Sequence, residues 1–219
     1  MDERKVRTAL IIGGSLGGLF VANALRTIGW QVDVFERSPT ALDSRGGGIV
    51  LQPEVLNAFK FSKIPTSHAL GVRSKNRIYL SNDGAVRHKQ VAPQTQTSWS
   101  TLYSHLLAEF PDEHYHRGKK LVDLKQGVDG VIASFEDGTT ATGDILVGAD
   151  GGGSTVRQLV SPGSRPTYSG YVVWRGLVEP LRELLGLGQP LLCRADHVVE
   201  VGDREHEARA ALERESRPD

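Results

Sequence analysis

The sequence predicts an α/β fold organised on a parallel sheet, and three observations carry that expectation. Val6 to Ile12 is a short apolar run that stops at Gly13, as a strand buried on both faces would. A helix-periodic segment and a second strand-like run follow directly, which makes one βαβ unit. Far along the chain, Ile145-Leu146-Val147-Gly148-Ala149 repeats that apolar character and ends in the turn Asp150-Gly151.

In chain order, Leu16, Leu19, Phe20, Asn23, Ala24, Thr27 and Ile28 recur at helical spacing, and Gly29 stops the helix. Trp30 to Phe35 is the second strand, Glu36 stands at its carboxyl end, and Ser38-Pro39 turns the chain away. A glycine cluster, Arg45-Gly46-Gly47-Gly48-Ile49, precedes Pro53, which suits the first turn of a helix with Val55, Leu56 and Phe59 as its apolar face. Arg77 to His88 reads as a hairpin about Asp83-Gly84, and Leu102 to Phe110 as an amphipathic helix carrying Leu102, Leu106, Leu107 and Phe110.

Between Lys119 and Ala141, Asp129-Gly130 and Asp137-Gly138 are favoured hairpin dipeptides, so three short strands are expected to form an antiparallel meander. A short helix follows from Ser154 to Val160. Ser161 to Pro166 reads as a linker, and Tyr168 to Val178 as the first strand of a second domain. The expected division is 1–162, 163–186 and a charge-rich tail, 187–219. Within that tail Asp203 to Asp219 holds one large apolar residue, Leu212, and is expected to be a frayed helix or disordered.

Twenty-six basic and 26 acidic residues cancel over 219 positions, which removes the electrostatic footprint of a nucleic-acid or anionic-membrane binder. The apolar stretch from Thr8 to Leu25 follows Arg4, Lys5 and Arg7, but Gly13, Gly14, Ser15, Gly17 and Gly18 interrupt it, and no other window approaches the ~18 apolar residues of a membrane span. A single cysteine, Cys193, forms no internal disulfide or cysteine-based metal site and suits a reducing cytoplasm. His114-Tyr115-His116 sets two imidazoles on one strand face, yet the sequence offers no third ligand nearby, so a solvated strand end is favoured over zinc.

The 25 glycines are about 11% of the chain, against a usual ~7%, and the most informative sit in Gly13-Gly14-Ser15-Leu16-Gly17-Gly18. This strand-to-helix turn is where Rossmann-like folds place Gly-x-Gly-x-x-Gly, with Ser15 replacing the second glycine. A small hydroxyl there can still donate to a phosphate oxygen, and the helix N-terminus offers unpaired N–H groups to an anion. Glu36 lies 23 residues after Gly13, near the ~20-residue offset of the acid that accepts hydrogen bonds from a ribose. An acid at that place disfavours a 2′-phosphate, which points to FAD or NAD rather than NADP; the loop does not choose between the first two.

Five motifs in order carry a resemblance to the flavin-dependent aromatic hydroxylases, and within them to the hydroxypyridine branch. They are Ile12-Gly13-Gly14-Ser15-Leu16-Gly17-Gly18-Leu19, Val34-Phe35-Glu36-Arg37-Ser38, Gly48-Ile49-Val50-Leu51-Gln52-Pro53, Val147-Gly148-Ala149-Asp150-Gly151 with Ser154 and Arg157, and Tyr168 to Gly176. The resemblance runs with gaps from about Thr8 to about Pro180. It implies a Rossmann-like FAD/NAD(P)-binding domain with a β-meander, followed by the start of a β-rich substrate domain.

The resemblance further implies that Gly13, Ser15, Leu16 and Gly18 surround the FAD pyrophosphate, Glu36 holds the ribose and Arg37 lies beside the adenine. It matches Arg45 to a basic position near the phosphate and ribitol, and Val122 to a backbone contact with the adenine. Asp150, Gly151 and Arg157 match a motif that serves both the flavin and the nicotinamide donor. The implied reaction uses NAD(P)H and O₂ to hydroxylate an electron-rich small aromatic or heteroaromatic ring, in a protein for which a homodimer is expected.

The pattern then stops. The later Gly-Asp motif with its proline-glycine stretch is missing; Gly202-Asp203-Arg204-Glu205-His206 copies only its opening letters, 52 residues past Asp150. The chain is therefore expected to be cut off within its substrate domain, retaining the adenylate-binding half, with turnover in doubt and no catalytic residue assigned. Ser98-Trp99-Ser100 stands where the family often has a flavin-touching arginine, so no contact is assigned there; Trp99 and Trp174 are read as core or interface aromatics. An NAD-dependent dehydrogenase and a non-catalytic dinucleotide-binding module or accessory subunit are the alternatives.

Overall fold

The computed structural model describes residues 6–42, 48–66, 70–81, 83, 85–170, 174–177 and 196–199. The chain divides into two units, Met1–Arg165 and Pro166–Asp219.

In the first unit the opening βαβ forms as the periodicity predicts: β1 (Thr8–Ile12), α1 (Leu16–Thr27) and β2 (Gln31–Glu36). Next come β3 (Gly48–Val50), α2 (Pro53–Phe61), β4 (Val72–Leu80) and β5 (Val86–Ser98). Helix α3 (Trp99–Ala108) and a single 3₁₀ turn, Asp112–His114, lead into β6 (Tyr115–Arg117). The meander is β7 (Leu121–Gly127), β8 (Gly130–Phe135) and β9 (Thr140–Gly143), after which β10 (Ile145–Gly148) and α4 (Thr155–Val160) close the unit.

The central sheet has strand order β10-β1-β2-β6 and is parallel throughout. Side chains alternate across it, so β1 divides its residues between two cores. Ala9 and Ile11 join Leu19, Ala22, Val32, Val34, Leu102, Leu106 and Tyr115 on the helix side. Leu10 and Ile12 join Phe35, Leu121, Val131, Ala133, Phe135 and Val156 on the meander side. Buried Asn23 bonds α1 to α3, donating from Nδ2 to the Leu19 and Leu106 carbonyls at 3.0 and 3.2 Å. Phe20 meets Phe59 of α2 edge-on, with ring centroids 5.1 Å apart.

Several expected boundaries move. The helix expected from Leu102 begins at Trp99, because the Ser98 side chain accepts the Thr101 N–H at 3.0 Å and caps it three residues early. The hairpin expected over Arg77 to His88 is a longer ribbon, β4 with β5, and β3 pairs on the other edge of β5. Its residues are polar and mostly exposed, so apolar periodicity could not reveal its length.

The second unit contains β11 (Trp174–Leu177) paired antiparallel with β12 (Asp196–Val199). The strand expected from Tyr168 is thus shorter, with residues 168–170 outside it, and β12 is an element the sequence did not announce. Arg45, Gly46, Gly47, Cys193, Gly202 to His206 and the tail 203–219 lie outside the described residues.

Candidate cofactor site

The carboxyl ends of β1, β2 and β10 bring the glycine turn from Gly13, Glu36 with Arg37, and Asp150-Gly151 to one edge of the sheet, where open α/β folds bind ligands. Gly13 ends β1 with φ 106°, a left-handed conformation, and its N–H donates to the Phe35 carbonyl at 2.9 Å. A methyl group at Gly13 would run into the Ala149 carbonyl, and one at Gly18 into the Gly13 carbonyl, so both positions require glycine. Gly17, by contrast, faces open space.

Ser15 is the N-cap of α1, yet its side chain makes no capping hydrogen bond, and Leu16 opens the helix behind it. The Ser15 N–H meets no acceptor among the described residues. A free hydroxyl and free N–H groups at the start of a 12-residue helix form an anion-receiving turn.

Glu36 ends β2 and is only 6% exposed. Its Oε2 accepts the Gly14 N–H and its Oε1 the Ser38 N–H, each at 2.9 Å. A carboxylate has about four lone-pair directions, so two remain for a ligand's hydroxyls. Arg37 follows at once and is exposed.

Sequence reasoning missed the residue beneath this loop. The Tyr115 hydroxyl donates to the Gly14 carbonyl at 2.9 Å and lies 3.4 Å from the Tyr103 hydroxyl, with both rings buried. A methyl group on Gly14 would collide with that hydroxyl, which explains a third glycine in the loop. Tyr103 in turn stacks on Trp99 at 4.7 Å, so Trp99 does serve the core. Burial first, then the hydrogen bond with Tyr103, raises the Tyr115 phenol well above its ordinary range. The Arg117 guanidinium covers the Tyr115 ring at 4.7 Å. Nothing in the sequence pattern links residues 101 positions apart, and only a glycine where a loop tolerates alanine hints at the contact.

Val122 lies in β7 where the ladder slips: Leu121 pairs with Phe135 and Asp123 with Ser134, leaving Val122 unpaired in a β-bulge.

The Asp150-Gly151 turn follows β10, and Gly151 takes φ 82°. Asp150 commits three of its lone-pair directions to its own turn. Its Oδ2 accepts the Thr155 and Val156 N–H groups at 2.6 and 3.1 Å, and its Oδ1 the Ser154 hydroxyl at 2.5 Å. Ser154 Oγ accepts the Arg157 N–H at 2.9 Å, and the Arg157 guanidinium donates to the Gly152 carbonyl. Arg157 Nε and, on β5, Thr97 Oγ1 are buried without a partner among the described residues.

The histidine pair differs from expectation. His114 lies in the 3₁₀ turn rather than on the strand, and a third ligand type is close: Asp33 Oδ1 bonds His114 Nδ1 at 3.0 Å and His116 Nε2 at 2.8 Å. Among the described residues no group of three such side chains could hold a metal ion, and no helix is long and apolar enough to cross a membrane.

A parallel sheet with a glycine turn, a buried acid closing that turn from the end of β2 and a meander on its far side defines a dinucleotide-binding domain of the flavoprotein type, and residues 6–175 match the FAD binding domain family, to which the chain belongs. Among its relatives, 2,6-dihydroxypyridine 3-monooxygenase of Paenarthrobacter nicotinovorans is 39% identical over 171 residues, covering 78% of this chain and 43% of the relative. The 3-hydroxybenzoate 6-hydroxylase of Klebsiella oxytoca is 27% identical, with 88% and 52% covered. The solved structure of 2,6-dihydroxypyridine-3-hydroxylase from Arthrobacter nicotinovorans superposes with a TM-score of 0.72 at 38% identity, covering 80% of this chain and 44% of that one. Klebsiella pneumoniae HpxO, solved with FAD and uric acid, gives 0.66 at 26% identity, covering 79% and 46%. The chain spans about half the length of the curated relatives it matches.

Proposed function

We propose that this chain is the cofactor-binding portion of an FAD-dependent hydroxylase that acts on an electron-rich hydroxypyridine-type ring with NAD(P)H and O₂. The observation that carries the reading is the phosphate turn closed onto Glu36 within a chain 39% identical to 2,6-dihydroxypyridine 3-monooxygenase.

The residues present fit the dinucleotide. Ser15 has an uncommitted hydroxyl, Gly17 leaves the approach open, Glu36 keeps lone pairs, and Val122 stands unpaired in its bulge. In this reading Gly13, Ser15, Leu16 and Gly18 enclose the pyrophosphate, Glu36 holds the ribose, and Arg37 and Val122 border the adenine. Arg45 would serve the ribitol side. Asp150, with three of its about four lone-pair directions taken, shapes its turn and keeps one for a ligand, so that Asp150, Gly151 and Arg157 border the flavin and nicotinamide side. Bound FAD supplies the oxygen-transfer chemistry once NAD(P)H has reduced it. The chain's own part is to bind, orient and desolvate. A homodimer in a reducing cytoplasm completes the reading.

Calorimetric titration of the apoprotein with FAD, NAD and NADP tests it. FAD is expected to bind at least tenfold more tightly than either nicotinamide dinucleotide. Tight binding of NAD with none of FAD replaces this reading with a dehydrogenase. Oxidation of NAD(P)H dependent on 2,6-dihydroxypyridine tests the substrate class in the FAD-loaded protein.

A further inference from the structure

We propose that Tyr115 is a positioning residue for the cofactor's pyrophosphate: its hydroxyl fixes the Gly14–Ser15 peptide so that the Ser15 N–H points at the phosphates. The inference rests on the FAD reading above and deepens it.

The argument begins with peptide geometry. The Gly14 carbonyl and the Ser15 N–H belong to one planar trans unit, so they point in nearly opposite directions. Whatever holds the carbonyl inward therefore holds the N–H outward. The Tyr115 hydroxyl does this at 2.9 Å from beneath the loop, on a ring only 5% exposed. The preceding peptide is fixed by different means, because the Gly14 N–H is taken by Glu36 Oε2. Two consecutive peptides are thus clamped by two side chains, and the N–H left over, that of Ser15, sits at the N-cap of α1.

Glycine at 14 is the counterpart of this clamp. A side chain there would occupy the place of the tyrosine hydroxyl, so the loop has given up a Cβ to gain a hydrogen bond. The phenol's raised ionisation range keeps the proton on the donor at any working pH. Tyr103, 3.4 Å away, supplies the neighbouring hydroxyl, and Phe110 meets the Tyr115 ring edge-on at 6.5 Å, which limits the ring's movement.

Tyr115→Phe in the full 219-residue chain tests the assignment. FAD, ADP and adenosine are titrated calorimetrically into wild type and variant, with apoprotein melting measured alongside. FAD and ADP, which carry the pyrophosphate, are expected to lose about five- to tenfold in affinity, and adenosine to change less than about twofold. The ³¹P resonances of bound ADP are expected to move toward those of free ADP. Equal losses for all three ligands assign Tyr115 to the general fold and overturn the proposal, as do unchanged affinities. If wild type binds ADP but not FAD, the FAD reading fails while the ADP and adenosine comparison still decides the role of Tyr115. If wild type binds neither, both fall. Should Tyr115→Phe not fold, Tyr103→Phe removes the neighbouring hydroxyl instead, with a loss of about threefold expected for FAD and ADP and none for adenosine; no loss, or an equal loss for adenosine, overturns the proposal.

Discussion

Two neighbouring strands of the same sheet end in glycine-containing turns that open helices, yet the turns are built on opposite plans. After β1, Ser15 caps nothing, and among the described residues the Ser15 N–H at the start of the 12-residue α1 has no acceptor. After β10, Asp150 and Ser154 satisfy the start of the six-residue α4 with hydrogen bonds of their own. The first turn depends on something outside the chain to complete it, and the second completes itself. The turns also touch, since Gly13 packs against the Ala149 carbonyl, so the closed turn forms one wall of the open one.

Substitutions at the two turns should separate these plans. Gly18→Ala forces a Cβ into the Gly13 carbonyl, a backbone atom that cannot swing aside, and is expected to cost about 3 kcal/mol and abolish FAD retention. Denaturant unfolding with and without FAD measures both. Asp150→Ala removes an acceptor of three hydrogen bonds and is expected to cost about 2 kcal/mol in the apoprotein, with FAD affinity falling less than after Gly18→Ala. A larger effect on affinity than on apoprotein stability would mean that the carboxylate serves the ligand directly. Ser154→Ala loses the N-cap bond from the Arg157 N–H and the hydroxyl's bond to Asp150, about 1.5 kcal/mol by the same measurement. Ser15→Ala is the smallest in stability, within about 0.5 kcal/mol, because that hydroxyl caps nothing. FAD affinity should nevertheless fall about threefold in calorimetry. A stability loss there as large as that of Ser154→Ala would erase the contrast.

The open turn was legible in the sequence because its determinants are local. Apolar runs, four glycines and an acid at the right offset describe a β1–α1–β2 unit without knowledge of anything distant. The meander was legible for a similar reason, as two Asp-Gly dipeptides fix its hairpins. Tyr115 was not, because its contact with Gly14 exists only once β6 pairs with β2, and that three-residue strand has no periodicity of its own. Asp33 lies within the expected second strand with nothing to single it out, and its two histidine partners arrive by the same pairing. The local commitment of Asp150 was hidden for another reason: a motif records which residue types stand where, whereas acceptor lone pairs already taken appear only in three dimensions.

Pairing of β1 with β10 also orders events during synthesis. Thr8 donates its N–H to Asp144 at 2.6 Å, and Ala9 sits opposite Ile145, 136 positions later. At translation rates of ~5–20 residues per second, the edge of β1 waits roughly seven to thirty seconds for its partner. Over that interval an apolar strand with one unpaired side leaves the ribosome, so this domain should lean on chaperones while nascent far more than its finished sheet suggests.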